Sequence, residues 1–92
     1  MLTELFAFKM SEKEREEFWR QRALEDFSRR LEGLEEQVDY CIPSAVYAIR
    51  SLTHNLYISY QNGELTLKDY HELDRKLEEL TRKFVERCVR RR

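Results

Sequence analysis

The chain has 92 residues, 38% of them charged, and its seventeen Lys and Arg against eighteen Asp and Glu give a formal net charge of −1. Two glycines and one proline are too few for the many reversals of a β-sandwich or barrel, and 41% hydrophobic content with eleven aromatic rings is too much apolar surface for a disordered polymer. One small all-helical domain remains, with no net field to draw it to nucleic acid or anionic lipid.

Residues 1–10 form an N-terminal arm. Leu2–Phe8 is apolar but short and contains Glu4, so it does not read as a signal peptide. Ser11-Glu12-Lys13-Glu14 has the form of a capping box and opens the first helix, with acidic residues where the helix dipole favours them. Trp19, Ala23, Leu24, Phe27 and Leu31 share one face of it, with Leu34 just beyond. Arg29, Arg30 and Gly33 predict its end near residue 32, as a cationic last turn followed by a glycine C′.

The second helix is expected over residues 40–61, capped by Asp39, with Pro43 in its first turn where no amide hydrogen is needed. The competing reading is one helix from Ser11 to Gln61 bent at Pro43. Asn62-Gly63 tolerates left-handed backbone and ends the second helix. Thr66-Leu67-Lys68-Asp69 caps the third, predicted over 66–89, with Asp where Glu is usual. Residues 90–92 are its frayed basic end.

Cys41, Ala45, Ile49, Leu52 and Leu56 form a stripe on the second helix, and Leu73, Leu77, Leu80, Phe84 and Cys88 form one on the third. Folding the chain at residues 62–65 sets Leu56 against Leu73, Leu52 against Leu77, Ile49 against Leu80, Ala45 against Phe84 and Cys41 against Cys88. Every pair has the same sum of residue numbers, as antiparallel partners must. The expected architecture is therefore an antiparallel three-helix bundle built on an αα-hairpin, with the first helix lying in its groove. Cys41 and Cys88 come level at the open end, either as two thiols packed like small apolar residues or as a disulfide. Their spacing matches no zinc or redox motif. No metal or cofactor is expected, and the default location is cytoplasmic. The Glu- and Arg-rich, Gly-poor composition is of the kind whose charge networks gain value at high temperature.

Between Tyr40 and Gly63 only Arg50 carries a formal charge, and nothing there is apolar enough to span a membrane. The side of the second helix away from the hairpin seam carries Tyr47, Arg50, His54, Tyr57 and Ile58, with Tyr40 at its N-terminal end, where a solvated face would carry Lys and Glu. Tyr and Arg are enriched at interface hot spots, so this face predicts contact with a protein partner, first of all a second copy in a dimer. The expected role is a non-enzymatic, self-associating interaction or adaptor module. A second reading uses the basic run Arg82, Lys83, Arg87, Arg90, Arg91 and Arg92 to hold nucleic-acid phosphates. A third pairs Arg50 as a phosphate ligand with His54 as a proton carrier, four residues apart on one face, in a ribonuclease.

Overall fold

The computed structural model describes residues 11–90. Its three α-helices are α1 (Glu12–Asp39), α2 (Ala45–Gln61) and α3 (Leu67–Phe84), and a widened helical turn, Val85–Val89, follows α3. The described residues contain no strand. Each helix packs on the other two, giving the antiparallel three-helix bundle that the mirrored stripes require.

Local chemistry sets most of the ends. Ser11 Oγ accepts from the Glu14 amide (3.2 Å) to start α1. Asn62 closes α2, and Gly63 turns the chain with φ 79°, a backbone region where a Cβ is strained. Thr66 Oγ1 accepts from the Asp69 amide and an Asp69 carboxylate oxygen accepts from the Thr66 amide, each at 3.1 Å, so the capping box of α3 is complete.

The first connection departs from the expected boundaries. α1 does not end at residue 32 but passes through Gly33 to Asp39. Leu34 and Val38 explain the difference, since both are buried in the core and their burial outweighs the ~1 kcal/mol cost of a helical glycine. Asp39 is the last residue of α1 and not a cap of α2, which begins at Ala45 instead of residue 40. Pro43 lies in the connection ahead of α2, so a single bent helix from Ser11 to Gln61 is also ruled out. Within that connection the Ile42 amide donates to the Gln37 carbonyl (2.9 Å) and the Ala45 amide to that of Ile42 (2.9 Å).

The core joins Phe27, Leu34 and Val38 of α1 to Ala45, Leu52 and Leu56 of α2 and to Leu65, Leu73, Leu77 and Phe84. Phe27, Leu31, Leu52, Leu56, Leu73 and Leu77 meet around a void of only about 10 Å³, the close packing expected of an interior. Tyr60 and Tyr70 stack across the hairpin, their ring centroids 4.9 Å apart and nearly parallel. Trp19 shares the α1 stripe but is exposed. It stands beside Asn62–Glu64 at the tip of the hairpin, where α2 has ended and α3 has not begun, and its neighbour Phe18 meets it edge-on.

A buried ion pair helps to hold α1 on the hairpin. Asp69 is 5% exposed and takes Arg20 Nε at 2.6 Å on one oxygen and a terminal guanidinium nitrogen at 2.8 Å on the other. The same carboxylate caps α3, so one side chain fixes both the start of α3 and the height of α1 beside it. The Arg20 hydrogen bonds, and then those from Thr66, hold the Asp69 carboxyl well below the usual carboxylate range despite its burial.

At the other end of the bundle, Cys41 and Cys88 are joined by a disulfide, their Cα atoms 5.5 Å apart. The Val85–Val89 turn helps to make this alignment. Four-residue steps on an α-helix overshoot a full turn by about 40°, so the spacings from Leu73 through Leu77, Leu80 and Phe84 to Cys88 drift away from the seam. In the widened turn the Arg90 amide donates to the Val85 carbonyl (2.9 Å), five residues back. Each residue there rotates through less than on an α-helix, which brings Cys88 back towards the seam and level with Cys41 in the connection before α2.

A candidate interface on the outer face of α2

α2 is amphipathic in an unusual sense. Its inner side, with Ala45, Leu52 and Leu56, is buried in the core, yet its outer side lacks the charges that solvate α1 and α3. Tyr47 is 74% exposed, Tyr57 46%, Val46 45% and Ile58 39%. Arg50 and His54 are exposed between them. α1 packs in the hairpin groove and leaves this side open, so Tyr47, Arg50, His54, Tyr57 and Ile58 all lie on one solvent-facing strip.

Its polar groups are quiet. The Tyr57 hydroxyl accepts from Gln61 Nε2 (2.8 Å), and Thr53 Oγ1 donates to the Ile49 carbonyl one turn back (2.7 Å). Both bonds stay within α2 and leave the aromatic faces free. Val46 on the same helix is also exposed, as are Ile42 and Tyr40 in the preceding connection. Tyr40 and Ile42 belong to the connection and not to the helix itself, because α2 starts at Ala45.

Arg50 and His54 are brought together on the strip but not into a cleft. Clefts do lie between α1 and the 62–66 connection, between α1 and α3, and along α3. A substrate on the Arg50–His54 pair would stay in contact with bulk water, where charge stabilisation is weak. No group of His, Cys, Asp and Glu among the described residues is arranged to hold a metal ion.

The basic run is divided by the fold. Lys83 Nζ lies 2.9 Å and Arg87 Nη1 3.5 Å from the same oxygen of Asp39, so two of its cations serve to tie the end of α1 to the end of α3. The bond from Lys83, with the charge of both cations, lowers the Asp39 carboxyl below its ordinary value. Arg82 and Arg90 are exposed, and Arg91 and Arg92 lie outside the described residues. No described helix is long and apolar enough to cross a membrane. No family model, no curated protein and no solved structure matches the chain.

Proposed function

We propose that the protein is a self-associating helical module for protein–protein contact, and that Tyr47, Arg50, His54, Tyr57 and Ile58 form its contact surface. The observation that carries this reading is the contrast between helices. α1 and α3 turn Glu, Asp, Lys and Arg to solvent, while α2 turns out tyrosines, Val46 and Ile58. Charge at the centre of an interface must be desolvated, whereas Tyr and Ile lose little by burial and gain contact area. A second copy is the simplest occupant, because an isologous two-fold contact places each apolar strip on its equal. Two hairpins meeting through α2 make a larger helical bundle, and a chain of this size gains stability from added burial.

Sedimentation velocity or light scattering at tens of micromolar tests the proposal. The wild type is expected to be a dimer, and Ile58→Glu a folded monomer with an unchanged helical circular dichroism spectrum. A monomeric wild type refutes self-association.

A further inference from the structure

The start of α2 is secured in an unusual way. Ser44, its N-cap residue, makes no side-chain cap bond, and the first turn contains no acidic residue. α1 and α3 both have such caps. The first turn of α2 nevertheless carries Val46 and Tyr47, the N-terminal part of the exposed strip. The covalent tie to the widened turn after α3 lies just upstream, at Cys41, whose φ of 51° is left-handed and unfavourable for a residue with a Cβ. Cys41 is an exposed residue and Cys88 a half-buried one, so the bond lies at the surface, and Cys41 is the side from which a reductant would approach it. The crosslink spans 47 residues, and its two ends join the connection before α2 to the widened turn after α3.

We propose that the Cys41–Cys88 disulfide is a redox latch on the association face: oxidised, it holds the first turn of α2 in place, and reduced, it lets that turn open and weakens self-association. The proposal rests on the α2 strip being the contact surface, and it adds how that surface is controlled. A dithiol supplies the chemistry. One of its thiolates attacks the exposed Cys41 sulfur, the bond to Cys88 breaks, and Cys88 leaves as a thiolate. The second thiol of the reductant resolves the mixed disulfide, releases Cys41 and becomes a cyclic disulfide itself. Two electrons and two protons pass to the protein. Once the bond is open, nothing covalent restrains Cys41 in its left-handed conformation. The Ile42 and Pro43 carbonyls that accept from the Ala45 and Val46 amides are then no longer held in place for a helix start that has no side-chain cap.

The test compares the full chain before and after treatment with dithiothreitol, with free thiols counted in each state. Amide hydrogen exchange reports on residues 45–48 and light scattering on association. Reduction is expected to lower protection at 45–48 by about tenfold or more while leaving residues 70–80 protected, and to raise the dimer dissociation constant by a similar factor. Cys41→Ser is expected to match the reduced wild type under oxidising conditions. Protection at 45–48 that stays the same once both thiols are free overturns the latch, and so does a dimer of equal affinity in both states. Two thiols that remain free after oxidation also overturn it. A chain that is monomeric in both states overturns the association reading instead, and hydrogen exchange alone then decides whether the bond secures the helix start.

Discussion

Replacing Asp69 with alanine is expected to destabilise the protein by about 3 kcal/mol. Breaking a buried ion pair by removing one partner costs ~3–5 kcal/mol, mostly because the other charge is stranded. Arg20 is not fully stranded here, since its side chain is 30% exposed and Glu17 remains 2.9 Å away. That brings this part of the loss at Asp69 to about 2 kcal/mol. The Thr66 amide also loses its acceptor, which adds ~0.5–1 kcal/mol, the usual worth of a cap. For a domain of this size the total corresponds to a fall in melting temperature of roughly 12–24 °C. Asp69→Asn keeps an oxygen for the Thr66 amide and loses the charge, so it should cost about 2 kcal/mol. Urea unfolding at neutral pH measures both variants, provided the slope with denaturant is unchanged. An Arg20→Met background supplies the decisive comparison, because Asp69→Asn should cost far less where no guanidinium is left to strand. Equal costs in the two backgrounds would show that Asp69 acts through the helix cap alone and would refute the clasp between α1 and α3.

The same carboxylate makes stability fall in acid. Its folded-state value lies below that of the unfolded chain, so the unfolded state binds the proton first, and the stabilisation is full at neutral pH and lost as pH falls below about 5. Urea midpoints should decline more steeply over that range for the wild type than for Asp69→Asn. The two glycines should respond in opposite directions. At Gly33, inside α1, an added Cβ meets nothing within 4 Å, and Gly33→Ala should stabilise by ~0.5–1 kcal/mol. Gly63 has equally open space but a φ of 79°, and Gly63→Ala should destabilise by about 1 kcal/mol. Thermal melts that rank the two alanine variants the other way would contradict the helical path through residue 33.

Much of the architecture was legible from residues 41–88. The stripes on α2 and α3 mirror one another, and a mirrored pair of apolar stripes has one low-energy arrangement, an antiparallel hairpin. Thr66, Asp69, Asn62 and Gly63 placed its turn because caps and left-handed residues act over three or four positions. The strip from Tyr47 to Ile58 was legible for the same reason, since missing charge on a helical face is a local property of the sequence.

The end of α1 was decided elsewhere. Arg29, Arg30 and Gly33 resemble a helix stop, and only the pocket that receives Leu34 and Val38 carries the helix on to Asp39. The same holds for the long-range ion pairs. Nothing local joins Arg20 to Asp69 or Asp39 to Lys83, which stand 49 and 44 residues apart. The one trace of the first was an Asp where a capping box normally has Glu, a short carboxylate that can serve the Thr66 amide and still face α1. Helix periodicity and caps depend on neighbours in the chain and can be read along it. Which charge meets which, and where a helix outruns its own stop signal, depends on the rotation and height of α1 in the groove, and those exist only once three helices have packed.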